Sequence, residues 1–468
     1  MVFSLTLFSP IIVSLWYGDG LYPAFLLAFA ITVISGALIW MPVAKQTADL
    51  RTRDGFLITS LFWIVLGLFG SLPFLLAPTP QLSISDAVFE SLSGLTTTGA
   101  TVITGLDHLP KSILFYRQQL QWIGGIGIIV IAVAILPMLG IGGMQLYRAE
   151  TPGPIKDSKL TPRITETAKA LFLIYLLLTV SCAIAYWLAG MSGFDAICHA
   201  FSTIAIGGFS THDASIGYFN STPIMLIATL YMLIAGINFA LHFYALRQSS
   251  IKHYLRDSES RFFTYTILGA ALLVISYLVL MGTYPMGEGL IHGLFQTVSI
   301  ATTAGFATAD FASWPSFLPV LLLILSFMGG CGGSTGGGIK AVRVMLMAKQ
   351  GLRELSQLVH PNAVIPLKIG NRRVEAKVVS AVWSFFAVYM FAFIVILLLL
   401  MATGLDYTTA FSAVVASLNN LGPGLGDVAS HYGNISAPAK WILCFSMLLG
   451  RLEVFTLLVL FTPGFWRH

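Results

Sequence analysis

DAVFESLSGLTTTGAT, beginning at Asp86, and DAICHAFSTIAIGGFS, beginning at Asp195, align without a gap, and the rest of the chain is read outward from this pair. LFQTVSIATTAGFAT at 294–308 and FSAVVASLNNLGPGLG at 411–426 follow the same plan more loosely, each an apolar helical stretch running into a glycine. The four glycines, Gly99, Gly208, Gly305 and Gly422, stand 109, 97 and 117 residues apart. Recurrence at such a period is the mark of a repeated structural unit, here present four times.

Long apolar stretches flank every copy. The 468 residues are 56% hydrophobic and only 10% charged, far from the quarter-charged make-up of a soluble chain, so lipid is the expected solvent. A bilayer core of roughly 30 Å takes about 20 apolar residues per helix. Candidate helices fall at 3–17 and 21–42, a hairpin whose first member is short, then at 56–77, 113–140, 168–190, 223–246, 262–282, 315–346, 378–403 and 437–462. The segments at 84–98, 194–207, 290–304 and 407–420 are too short to cross and read as re-entrant half-helices. The expected fold is an all-α polytopic membrane protein of four helix, half-helix, loop, helix units in pseudo-fourfold arrangement. Its parts are a hairpin over 1–44 and repeats over 45–147, 148–250, 251–349 and 350–468. The N-terminus lacks a basic region and a small-residue cleavage site, and reads as a first membrane helix rather than a removed signal. Cys182, Cys198, Cys331 and Cys444 stand singly in apolar sequence, as buried small hydrophobes do.

Basic residues set the orientation. Connections 42–55, 147–169, 247–261 and 343–377 hold 3, 5, 4 and 7 Lys and Arg, 19 of the 25 in the chain. The positive-inside rule makes these cytoplasmic, together with both termini, and places the half-helices on the outer face. Asp86, Asp107, Asp195, Asp213, Glu288, Asp310 and Asp427 lie near that face, a collective bias that would concentrate cations. The net charge of +5 is then a matter of membrane topology and implies no nucleic-acid partner.

A cation leaving water needs oxygen ligands, and rings of backbone carbonyls provide them without burying formal charge. Non-helical backbone is tolerated at membrane depth only where it lines a wet path or is packed by protein. Glycine allows the positive φ that turns successive carbonyls the same way, and each half-helix directs its partly negative C-terminus toward its loop. The candidate cation filter is therefore Thr97, Thr98 and Gly99; Ile206, Gly207 and Gly208; Thr303, Ala304 and Gly305; and Asn420, Leu421 and Gly422.

Two other features point to control of such a path. GGCGGSTGGG at 329–338 interrupts the stretch at 315–346, and at about 1 kcal/mol per glycine it cannot remain helical. The small residues fill every face, so close helix packing alone does not account for them. Gly329, Gly330, Gly332, Gly333, Ser334, Thr335, Gly336, Gly337 and Gly338 form a candidate gate below the filter, with Lys340 just beyond. Arg451 stands near the middle of the apolar stretch 437–462, where an ionised group is costly and marks function by default. Glu453, two positions on, is a poor intrahelical partner; the carbonyls of the glycine segment are better acceptors for a guanidinium.

Rival classes fare less well. A carrier with a midplane site would show inverted repeats, whereas these share one orientation; coupling to protons or sodium stays open. A membrane enzyme would need clustered His, Asp, Glu or Ser-Lys groups, but His199 and His292 are isolated. Neither a GxxxxGK[ST] nor a strand-borne GxGxxG occurs, so the chain itself binds no nucleotide.

At LTTTGAT, FSTIAIGGFSTHDAS, SIATTAGF, NNLGPGLG, GGCGGSTGGGIK and GRLE the sequence resembles the Trk/Ktr/HKT superfamily of potassium transporters, in its bacterial TrkH branch, over essentially the whole chain. The resemblance implies a potassium-channel-like protomer of four helix–pore–helix units after an extra N-terminal pair, in a bacterial inner membrane, assembled as a homodimer with one pore per protomer. It implies potassium uptake, with K+ ions in the filter and a glycine in each loop for potassium preference. It further implies gating by the glycine segment and Arg451 under a cytosolic nucleotide-binding subunit like TrkA; the short basic loops themselves suit anionic membrane lipid or such a subunit as partner. IGGFS and LGPGL depart from the TVGYG pattern of potassium channels and imply a weaker filter.

Overall fold

The computed structural model describes residues 1–45, 52–130, 160–315, 317–370 and 372–466. Residues 131–140 of the expected span at 113–140, part of the basic connection at 42–55 and much of that at 147–169 lie outside the described residues, as do Arg467 and His468. The described residues are mostly helical. Among the described residues the one ladder pairs Lys368–Ile369 with Arg372–Arg373, antiparallel.

An N-terminal hairpin of Val2–Tyr17 and Tyr22–Trp40 comes first. The order helix, half-helix, helix then occurs four times. Thr52–Gly70, Ile84–Leu95 and Lys111–Val130 form the first unit. Leu160–Leu188, Gly193–Ala205 and the pair Thr222–Ala235 and Phe239–Arg247 form the second. The third is Ser258–Leu280, Met286–Ala301, and Leu318–Ser326 with Ala341–Val359. Ala376–Ala402, Tyr407–Leu418 and Ala437–Arg451 with Phe455–Leu458 complete the fourth.

Burial separates the two kinds of helix. Ala87 through Leu95 of the first half-helix are all buried, whereas the long helices expose apolar side chains such as Leu173, Leu177, Ile184 and Leu188. Exposed leucine is costly in water and favourable in hydrocarbon, so the half-helices occupy the protein interior and the long helices face lipid. Among the described residues five helices are long and apolar enough to cross a membrane, or seven if each of two bent pairs counts as one span. The protein is a multi-pass membrane protein.

Local sequence fixes where the half-helices begin. Ser83 and Ser192 accept from the amides of Asp86 and Asp195 at 3.2 and 3.1 Å, and Asp406 accepts from those of Thr408 and Thr409. Each such cap contributes about 1 kcal/mol. The third half-helix has no side-chain cap, and it starts after Pro285, four residues before the expected 290.

Two expected spans are not continuous. The one at 223–246 bends by 95° between Ala235 and Phe239. Asn238 caps the new helix through the Ala240 amide at 2.8 Å, and the freed Gly236 carbonyl accepts from Cys331 N at 2.8 Å. The span at 437–462 bends by 110° after Arg451, with Glu453 and Val454 at φ 55° and 54°. Arg451 is thus the last residue of its helix rather than mid-span, where the helix dipole favours a cation. The break expected at 329–338 is present. All four cysteines are buried.

Candidate functional site

Each half-helix ends in the same backbone turn. Thr97, Ile206, Thr303 and Asn420 have φ of 53°, 54°, 70° and 54°, and two residues on Gly99, Gly208, Gly305 and Gly422 have φ of 80°, 78°, 78° and 97°. Non-glycine residues with positive φ are uncommon, so four at equivalent positions mark an imposed conformation. The hydrogen bonds repeat as well: the Thr98, Ala304 and Leu421 amides donate to the carbonyls of Ser93, Ser299 and Ala416, and Gly207 N to Ser202 O, at 2.7–2.9 Å.

The loops meet in a closed cycle. A Cβ on Gly99 would stand 2.0 Å from the Gly207 carbonyl oxygen, one on Gly208 2.1 Å from that of Ala304, one on Gly305 2.1 Å from that of Leu421, and one on Gly422 2.6 Å from that of Thr98. Four equivalent carbonyls therefore lie where side chains would begin, and only glycine lets the neighbouring loops approach so closely. The twelve expected residues, Thr97, Thr98, Gly99, Ile206, Gly207, Gly208, Thr303, Ala304, Gly305, Asn420, Leu421 and Gly422, lie in these four loops.

Surrounding side chains lock the loops, and most of them were invisible to sequence reasoning. Gln121 donates to the Gly207 carbonyl at 2.6 Å and accepts from Phe209 N at 3.1 Å. Tyr432 donates to Gly422 O at 2.8 Å. Asn420 donates to the Thr98 hydroxyl and the Met447 carbonyl, both at 3.0 Å, tying loop 4 to loop 1.

The glycine segment lies against the C-terminal ends of the half-helices. Thr335 Oγ1 donates to Ile204 O at 2.9 Å, Gly337 N to the Thr303 hydroxyl at 2.7 Å, and Gly338 N to Asn419 O at 3.0 Å. Its other end is held by the break in the second unit, where Phe239 N donates to Gly333 O at 3.1 Å. Gly330 O accepts from Ala341 N at 3.0 Å, and Ser334 donates to Cys331 O at 2.7 Å. Gly329 approaches Gly337 so closely that a Cβ would stand 2.0 Å from its carbonyl oxygen. Lys340 Nζ donates to the Gly336 carbonyl.

Arg451 is buried and donates to Thr335 O at 3.0 Å and Gly124 O at 3.3 Å, bridging the glycine segment to the first unit. Two acidic residues to which the sequence assigned no partner anchor the same region. Glu259 accepts from the amides of Gly332 at 2.6 Å and Val342 at 3.1 Å, holding both ends of the segment. Glu453 pairs with Arg343 at 2.5 Å, joining the break after Arg451 to the helix that follows the glycine segment. Sequence spacing within one helix could not reveal it, since the partner is 110 residues away.

The acidic residues of the half-helix face are largely engaged. Asp86 pairs with Lys440 at 2.6 Å. His212 hydrogen-bonds Asp107 and faces Asp195 at 3.6 Å, and Asp213 accepts from Leu106 N at 3.1 Å. They tie loops together more than they form an open ring. His199 and His292 are satisfied locally, by Asp195 O and Ser210 at 2.8 and 2.9 Å and by Thr308 at 3.0 Å. Among the described residues no group of three or more His, Cys, Asp or Glu is placed to hold a metal ion.

The chain is 58% identical to the Trk system potassium uptake protein TrkH of Halomonas elongata over 467 residues, covering 100% of this chain and 97% of the relative. It is 43% identical to the Trk system potassium uptake protein TrkG of Escherichia coli over 466 residues, covering 100% and 96%. The crystal structure of the potassium transporter TrkH from Vibrio parahaemolyticus superposes with a TM-score of 0.93 at 55% identity, covering 100% of this chain and 97% of that one. The TrkH family model, described as cation transport protein, matches residues 21–467, and the chain belongs to that family.

Proposed function

We propose that this protein carries potassium into the cell through a pore lined by the four glycine loops. The carrying observation is the closed cycle in which each loop glycine abuts the carbonyl of the next loop. Carbonyl oxygens in successive rings can replace the hydration shell of a potassium ion, the transported substrate. The relatives named as potassium uptake proteins support the choice of ion. In this reading the half-helices enter from the outer face of the inner membrane and both termini are cytoplasmic. Residues 329–338, Lys340 and Arg451 form a gate on the cytoplasmic side of the filter.

The protein works as a homodimer whose gate answers to a cytosolic nucleotide-binding subunit of the TrkA kind, docked on the basic connections. Loops 2 and 4 are the weaker parts of the filter, because one lone pair of the Gly207 carbonyl is already used by Gln121 and one of the Gly422 carbonyl by Tyr432. Liposomes holding the purified protein test the reading: rubidium or potassium uptake should exceed sodium uptake and proceed without a pH gradient. Uptake that needs a proton or sodium gradient would favour the coupled symporter, and equal uptake of all three ions would sink the potassium filter.

A further inference from the structure

Midway along each half-helix a polar side chain reaches forward to the chain two or three residues past the loop glycine. Glu90 accepts from Val102 N at 2.9 Å and from the Thr101 hydroxyl at 3.0 Å. His199 bonds the Ser210 hydroxyl at 2.9 Å, Gln296 accepts from Thr308 N at 3.1 Å, and Ser412 accepts from Leu425 N at 2.8 Å. The first three stand nine residues before their glycines and Ser412 stands ten before. One mechanical task, bracing the chain that leaves the loop, is thus done by four different chemistries.

The first brace differs in reach as well as charge. Arg117, from Lys111–Val130, donates through Nε to Glu90 at 2.8 Å and through Nη2 to the Thr101 hydroxyl at 3.0 Å. Its Nη1 crosses to the second loop and donates to Ser210 O at 3.0 Å, while the guanidinium lies 4.2 Å from the Phe209 ring centroid. Glu90 and Arg117 are buried, with side chains 0% and 1% exposed. Arg117 therefore spans loops 1 and 2 just beyond the point where Gly99 and the Gly207 carbonyl come together. A planar guanidinium holds several acceptors at fixed angles, which a lysine ammonium does not.

We propose that Glu90 and Arg117 are a positioning pair that sets ion discrimination by holding loops 1 and 2 at a fixed separation. This rests on the reading of the four loops as the filter. Discrimination by a carbonyl ring depends on how many oxygens reach the ion and how far each can move. The pair removes freedom from two of the four loops at once.

The test is competitive uptake of rubidium against sodium by the full-length protein in liposomes, since that ratio does not depend on how much protein is active. Arg117→Lys keeps the charge but loses the fork, and Glu90→Gln keeps the shape but loses the charge. Both should lower the rubidium preference by about tenfold, as loss of one charge-assisted hydrogen bond implies. If the wild type shows no preference, the filter reading fails; if the wild type prefers rubidium and both variants match it, the positioning pair is refuted. Lower total uptake at an unchanged ratio also refutes it, since that is what a merely structural role would give. Should Glu90→Gln not be recovered as monodisperse protein, Arg117→Lys, which leaves no unpaired buried charge, decides on the same ratio.

Discussion

Arg451 donates to the carbonyl of Thr335 at 3.0 Å, across the 116 residues that separate them in the chain. The same guanidinium reaches Gly124, so one cation ties the glycine segment to the first unit directly below the loops. Replacing it by alanine removes the donor and the positive charge together. Arg451→Ala should raise rubidium uptake in vesicles matched for protein and lower the thermal midpoint, because two buried carbonyls lose a partner at about 1–3 kcal/mol each. Unchanged uptake would count against a gate at this position.

Glu259 is the matching anchor on the other side of the segment. It accepts from the amides of Gly332 and Val342, and both would be orphaned in Glu259→Ala. The expected cost is about 1–3 kcal/mol per buried donor left unsatisfied, read as a lower midpoint in a thermal melt. Looser anchoring should also raise basal uptake. Glu259→Gln keeps one acceptor oxygen and should fall between the two.

Gly208 tests the filter cycle most directly. A Cβ there would lie 2.1 Å from the Ala304 carbonyl oxygen, at a φ of 78° that L side chains avoid. Gly208→Ala should therefore spread loops 2 and 3 and reduce selective uptake, at about 1–3 kcal/mol of overpacking strain. Uptake and ion preference equal to wild type would show that the loops are not in contact in the working protein.

The contact of His212 with Asp107 and Asp195 gives a pH dependence outside the membrane spans. Burial alone would lower the His212 value, but the two facing carboxylates raise it above its ordinary 6.5. The tie between the first and second units is therefore complete below that ordinary value and weakens as pH rises through the raised one. Burial pushes the Asp107 carboxyl up, yet the His212 bond and the Asp213 amide hold it below its ordinary 3.8. Its contribution is present above 3.8 and lost only as pH falls through the lowered value. Thermal midpoints should decline as pH rises above the ordinary 6.5 of His212 and through its raised value in the wild type, and do so less in His212→Gln. A decline of equal size in the variant would show that His212 is not its source.

Much of the architecture was legible because lipid imposes a simple rule: apolar length gives spans, and short apolar segments ending in glycine give half-helices. Gly99, Gly208, Gly305 and Gly422 were readable since close backbone approach admits no other residue. The bends at Gly236–Asn238 and after Arg451 were not, because apolar composition is indifferent to whether a helix continues. Asn238 caps a helix only once Cys331 takes the Gly236 carbonyl, and that contact joins residues 95 apart. Glu259, in the first turn of Ser258–Leu280, carried no sequence signal, because its role comes only from the glycine segment packed onto it.

By itself, then, the sequence determined the membrane class, the four repeated units, their glycines and the interruption at 329–338, since these follow from periodicity, length and the conformational limits of single residues. The tertiary structure decided which carbonyl each glycine meets and which donors lock the loops. It also decided that Arg343 pairs with Glu453 and that Arg117 bridges two loops. Such pairings depend on three-dimensional separations between distant segments, a quantity that no local pattern of residues encodes.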